Sequence, residues 1–356
     1  MISIYGIITE YMGILSASSD FFGLDIGTTA VRVVQMRGGK NKVLVTYGSL
    51  DIDAKLSRSD ANADIERLSQ AIKQVVAESG ISTPNVAVGL PSQKVFSTVV
   101  DVDRLSPAEL EKTIRFQADS LIPTPLSESK IDWALLGDSP KEASKVELLL
   151  SSVSNGFVEQ RLDMLESIGL NVIAFEPDSL AIARALLAPE NTAAAMMLDM
   201  GDISTDLVIA LNGAPRLIRS IPVGTDGIVK AAVQGLGIDE KQAQQFVYKF
   251  GVSKDKLEGQ IYNAISGTID ILMSEVEKSI KFYATRYPNN KLERIIVTGG
   301  ASTLPELPLA IANKFGATVE IGNSWRNVTF PAQKQNDLLA VSSKFAVAAG
   351  LAERME

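Results

Sequence analysis

Two stretches of this 356-residue chain set an aspartate at the end of an apolar run, with a glycine two positions on and hydroxyls nearby. They read Asp25-Ile-Gly27-Thr28-Thr29 and Asp199-Met-Gly201-Asp202-Ile-Ser204-Thr205. A glycine at that place lets the turn approach a ligand closely, and the exposed amides and hydroxyls of such a turn can form a nest for an anion. Asp25 and Asp199 would hold a Mg2+ ion through water, while two such hairpins facing each other clasp the β- and γ-phosphates of a nucleotide. One Asp-x-Gly turn alone is more simply a structural turn, so the weight lies in the repetition.

The rest of the composition narrows the chemistry. The sequence contains no histidine and no cysteine, which excludes Ser-His-Asp and Cys-His nucleophilic sites, thiolate or imidazole zinc sites and disulfide scaffolds. Carboxylates, hydroxyls, Lys, Arg and backbone amides remain. A P-loop is absent, and the segment around Gly23 and Gly27 is neither G-x-G-x-x-G nor followed by a helix pattern, so a dinucleotide fold is not supported. With 34 basic against 42 acidic residues and a net charge of −8, nucleic acid is not expected as a partner. Apolar runs are broken well before the roughly 20 residues of a membrane span. The first basic residue is Arg32, so no secretory signal is expected and the cytoplasm is the expected compartment.

Both turns need strands to carry them. FFGLDI, the turn GTTA and VRVVQM read as a β-hairpin, and MMLDMGDISTDLVIAL repeats that plan. Helices are expected at 65–79, from the capping box Ser106-Pro107-x-Glu109 to Leu121, and at 155–168, 178–188, 225–236, 239–249, 267–286 and 336–352. Strands are expected at 86–90, 145–153, 170–175 and through RIIVTGG. The class is α/β, with largely parallel pairing plus hairpins. Ile4, Ile7, Ile8, Tyr11, Met12 and Leu15 share one helical face in an N-terminal extension, residues 1–20.

The two Asp-x-Gly stretches together with Thr298-Gly299-Gly300-Ala-Ser-Thr-Leu304-Pro resemble the phosphate-1, phosphate-2 and adenosine motifs of the actin, Hsp70 and sugar kinase superfamily. That resemblance implies two ribonuclease-H-like lobes with MgATP in the cleft between them. It implies that Gly27, Thr28, Thr29, Gly201, Asp202, Ser204 and Thr205 line the phosphates, that Gly299 and Gly300 admit the adenosine and α-phosphate, and that Leu304 lies near the nucleoside. Arg32 stands where relatives usually place a lysine, which keeps the charge but changes a point contact to a fork. Glu275 and Lys278, one turn apart on a helix, match an acid and a lysine that contact ribose and purine in the superfamily; a solvated ion pair is the equal alternative. Asp206 occupies the place of the water-ordering histidine of eukaryotic actins, so at most weak hydrolysis is expected. Glu176 and Asp178 remain as candidates for orienting water, with helix capping the plainer reading.

An α/β insertion before the second phosphate motif, the stretches IPVGTDGIVKAAVQGLGIDEKQAQQFV and EVEKSIKFY, and the ending FAVAAGLAERM are similar to the PilM family of type IV pilus assembly, over about residues 21–356. The implied architecture is an actin-like (ribonuclease-H-like) two-lobed ATPase fold. Its first lobe would comprise 21–91 completed by 176–198 and 336–356. The inserted subdomain would be 92–175, and the second lobe 199–335 with a helical part at 225–290. The implied function is that of an ATP-binding cytoplasmic scaffold at the inner face of the membrane. It would hold the N-terminal peptide of a PilN-like inner-membrane protein and meet other pilus assembly proteins, with homo-oligomerisation left open. An FtsA-like division or filament protein and a small-molecule kinase of the same superfamily are the rival readings. The chain ends without the amphipathic tail expected of the former, and declares no carboxylate base for the latter.

Overall fold

The computed structural model describes residues 20–355. The apolar face expected over residues 1–20 therefore lies outside the described residues, save for Asp20. The chain divides into two compact units, one reaching to Ala181 and resumed from Val347, the other spanning Ile182–Ala346.

The first unit contains β1 (Phe22–Ile26), β2 (Ala30–Arg37), β3 (Lys42–Asp51), α1 (Asn62–Glu78), β4 (Asn85–Leu90), β5 (Val95–Asp103), α2 (Pro107–Leu121), β6 (Ser129–Asp138), β7 (Lys145–Ser154), α3 (Asn155–Ser167) and β8 (Asn171–Pro177), followed by α4 (Asp178–Leu186), which leads out of it. Its main sheet runs β3-β2-β1-β4-β8. The β1–β2 and β2–β3 pairs are antiparallel, and the β1–β4 and β4–β8 pairs parallel. β1 is buried at every position, as a strand covered on both faces must be. Leu68, Ile72 and Val75 of α1 join Phe22, Leu24 and Val33 in its core.

A separate three-stranded antiparallel sheet, β5-β7-β6, forms the inserted part. α2 covers it with Leu110 and Ile114, packed among Val102, Val146, Leu148 and Leu150. Its start is the expected capping box: the Ser106 amide and hydroxyl both donate to Glu109 Oε2, at 3.1 and 2.6 Å.

The second unit holds β9 (Ala194–Met200), β10 (Thr205–Leu211), β11 (Ala214–Ile221), α5 (Thr225–Leu236), α6 (Glu240–Phe250), α7 (Gln260–Arg286), β12 (Leu292–Thr298), α8 (Leu307–Phe315), β13 (Thr318–Ile321) and α9 (Gln335–Val341), and α10 (Ala346–Ala352) leaves it. Its sheet runs β11-β10-β9-β12-β13. Again the first three strands are antiparallel and the last three parallel. The duplication read from two turns therefore extends to five strands of like order in each sheet. Ile269, Leu272, Met273, Val276 and Tyr283 of α7 face the core with β9 and β12 residues, as their helical spacing predicts.

Four expectations are corrected. Antiparallel pairs outnumber parallel ones among the described ladders, because β3 and β11 each extend their hairpin and the inserted sheet is antiparallel throughout. Residues 155–175, expected inside the insertion, form α3 and most of β8; β8 returns to the main sheet, where Ala174 and Phe175 are buried beside β4. Residues 182–198 and 336–346, expected to complete the first lobe, fall in the second unit. The single last helix is two, because the Ser343 carbonyl is taken by the Gly299 amide at 2.6 Å and by the Thr298 hydroxyl at 2.7 Å. A carbonyl spent that way is lost to a continuous α-helical ladder.

Candidate functional site

In the first unit, Asp25 is the penultimate residue of β1 and stands opposite Arg32 of β2. Arg32 Nη1 donates to Asp25 Oδ2 at 3.1 Å. Asp25 is only 7% exposed; burial pushes its carboxyl above the usual range, while the Arg32 charge and hydrogen bond pull it back. The Gly27 amide closes the turn onto the Ala30 carbonyl at 3.0 Å. The turn is then held from outside: the Ile52 amide donates to Thr29 O at 2.9 Å, and the Ser57 hydroxyl to Thr28 O at 3.2 Å.

The second unit builds the same turn differently. The Gly201 amide reaches the Ser204 carbonyl at 2.9 Å, yet Asp199 stands opposite another acid, Asp206. Asp206 accepts from the Ser220 hydroxyl at 2.7 Å. Here the brace is a helix start. The Thr225 and Asp226 amides donate to Gly201 O and Asp202 O at 3.0 and 2.8 Å, and the Thr225 hydroxyl donates to Asp202 Oδ1 at 2.8 Å.

The glycine loop after β12 lies in this unit too. Gly299 has a φ of 82°, and a Cβ there would sit 2.6 Å from the Met200 carbonyl, so only glycine fits between the loop and the second turn. The end of α6 approaches this loop. The Val252 amide just beyond it donates to Pro305 O at 3.0 Å, and the Tyr248 hydroxyl would lie 3.8 Å from a Cβ at Gly300. Burial raises the Tyr248 phenol pKa, the Asp202 charge adds to that, and its bond with Thr225 opposes it. In each unit the residues fit a magnesium-bound nucleotide: carboxylates suited to a hard cation, half-buried Gly27, Thr28, Thr29, Gly201, Asp202 and Ser204, and a guanidinium by the first turn.

Several sequence candidates are placed elsewhere. Thr205 is fully buried and its hydroxyl donates to the Val223 carbonyl at 2.7 Å, a structural bond in place of a phosphate contact. Leu304 is 1% exposed and packs in the core. Glu176 is buried with Arg354 Nη1 at 3.8 Å from its carboxylate, and Asp178 opens α4 as an acid in a first helical turn. Glu275 and Lys278 pair with each other at 2.6 Å on the exposed face of α7.

The sequence matches the family described as type IV pilus assembly protein PilM over residues 23–356. The chain belongs to the PilM family. A solved PilM–PilN type IV pilus biogenesis complex aligns with it at a TM-score of 0.81 and 25% identity, over 94% of this chain and 98% of that one. The ethanolamine utilization protein EutJ from Carboxydothermus hydrogenoformans aligns at 0.55 and 13% identity, over 98% and 94% of the two chains. MreB 5 of Spiroplasma citri bound to AMPPNP aligns at 0.52 and 13%, over 94% and 95%. The fold of this PilM family member is thus the actin-like one. The residues that sequence reasoning passed over, Ser57, Thr225 and Tyr248, carry no motif of their own. Only Thr225 had a signal, since Gly-Thr-Asp-Gly ahead of an apolar helical run marks a helix start.

Proposed function

We propose that this PilM family member is an ATP-binding scaffold of type IV pilus assembly that docks the N-terminal peptide of a PilN-like inner-membrane protein. The observation that carries the partner is the likeness, across nearly the whole chain, to the PilM of a PilM–PilN complex. The nucleotide part is supported by two Asp-x-Gly turns at like positions in two sheets of like strand order.

Asp25 and Asp199 are the carboxylates that would hold hydrated magnesium, each at its own turn, and the ion would supply charge neutralisation for the phosphates. Arg32 offers a fixed positive charge, Thr28, Thr29 and Ser204 offer hydroxyls, Gly299 lets the loop pack on the second turn, and Gly300 leaves room for the nucleoside. Hydrolysis is slow. Asp206 brings a second negative charge to the second turn, where a neutral or basic group would order a water molecule. Glu176 is engaged by Arg354. Nucleotide is then a structural or switching ligand, and turnover stays well below the roughly 1 to 100 per second of kinases.

Among the described residues no helix is long and apolar enough to cross a membrane, and the partner's span supplies the membrane address. An extended peptide gains main-chain hydrogen bonds and places alternate side chains in pockets. The test uses the full chain and a PilN-like N-terminal peptide fused to a carrier protein. Saturable binding at micromolar peptide is expected. Failure of the peptide, together with unaided binding to vesicles of anionic lipid, favours an FtsA-like role instead.

A further inference from the structure

The segment between β3 and α1 does more than connect them. It lies on the first turn through Ile52 and Ser57, whose donors take the Thr29 and Thr28 carbonyls at 2.9 and 3.2 Å. The segment is itself fastened on two sides. On one, Asp64 of α1 receives the Ser59 hydroxyl at 2.6 Å and the Lys55 ammonium at 3.1 Å. On the other, Arg161 of α3 donates through Nη2 to the Ser57 carbonyl at 3.0 Å.

Arg161 does not stand alone. Its guanidinium carbon lies 5.3 Å from the Phe157 ring centroid, and Lys94 Nζ lies 5.6 Å from the same ring. Lys94 immediately precedes β5, where the main sheet hands over to the inserted one. An arginine fork bonded to a carbonyl and stacked on a ring is fixed in direction in a way that a lysine is not.

We propose that Arg161 is a positioning residue for the first phosphate turn: through Ser57 it holds the segment that braces Thr28, and through Phe157 and Lys94 it ties that brace to the root of the inserted sheet. Its consequence for ligand binding rests on the nucleotide reading above; the positioning itself does not.

The test is amide hydrogen exchange on the full chain without nucleotide, beside MgATP affinity by calorimetry. Arg161→Ala and Ser57→Ala are each expected to speed exchange across residues 26–30 by about ten-fold, the loss of one net hydrogen bond. Exchange in β9 and β12 stays unchanged, and MgATP binds about five- to ten-fold more weakly. Arg161→Lys recovers only a minor part of either effect, since it keeps the charge without the fork or the stacking. The double variant is no worse than Arg161→Ala, since both act along one path. Unchanged exchange at 26–30 in both single variants, or effects that simply add, overturns the proposal. Altered exchange in a protein whose parent shows no MgATP binding sustains the positioning and removes the nucleotide reading.

Discussion

The two Asp-x-Gly turns share a backbone and differ in everything around it. Both close with a glycine amide on the carbonyl three residues later, at 3.0 and 2.9 Å. In the first, a buried acid faces an arginine; in the second, an acid faces an acid whose carboxylate accepts from a serine. The first is braced by a segment with few regular bonds of its own, the second by the start of a twelve-residue helix. The lesson is that the hairpin supplies the geometry while its neighbours set the charge. The first turn pairs its acid with a cation while the second sets two acids side by side, and in the proposed reading the additional acid at 206 slows hydrolysis.

The largest expected effect breaks that contrast directly. Arg32→Ala strands a buried carboxylate and should lower apo stability by roughly 2–4 kcal/mol, below the full cost of a wholly buried pair because Arg32 is part-exposed. Asp206→Ala should change it by less than about 1 kcal/mol, since it removes a like-charge pairing along with one hydrogen bond. Denaturant melts measure both; equal losses would erase the distinction between the turns. Next, Thr205→Val should cost about 1–2 kcal/mol by leaving the Val223 carbonyl unpaired. Thr28→Val should leave apo stability nearly unchanged and weaken MgATP instead. The same effect from both would mean that Thr28 is structural as well.

The pH dependence sharpens the comparison with opposite signs. Hydrogen bonds from Ser59 and Lys55 hold Asp64 below its ordinary value of 3.8. The stability it contributes is present above that value and lost as pH falls through the lower folded pKa. Asp25 is held above 3.8 by burial, so its contribution is full below 3.8 and lost as pH rises through the raised folded pKa. Asp64→Asn should therefore flatten the loss of stability on acidification, and Asp25→Asn the loss on moving from acid toward neutrality. Melts across pH check both slopes. Smallest of all, Lys278→Ala should cost at most about 0.5 kcal/mol and leave MgATP affinity alone. Tyr248→Phe, beside the glycine loop, should weaken MgATP by about 1 kcal/mol. A reversal of the two would return the nucleoside contact to α7.

What was legible in the sequence follows from what is local. Alternation, capping boxes and Asp-x-Gly spacing depend on residues a few positions apart, and they located both hairpins, α2 and the core face of α7. What was not legible depends on distant partners. Thr205 looks like a phosphate hydroxyl until Val223 claims it. Leu304 looks like a pocket residue until the core closes over it. The helix expected over 336–352 breaks because Gly299 needs the Ser343 carbonyl, a demand made from more than forty positions away. Nor could spacing alone show that the end of α6 comes up to the glycine loop, since α6 and α7 both carry charged faces of helical period.

The central claim is that each of the two unlike turns contributes to MgATP binding, and the MgATP-dependent shift in melting of the parent protein, Asp25→Asn and Asp199→Asn tests it most directly. At about 100 times the dissociation constant the parent should gain about 2.7 kcal/mol, and each single variant should lose most of that gain while its apo form still unfolds cooperatively. A full shift retained in either variant would contradict the account, because the turn it alters would then take no part in holding the ligand.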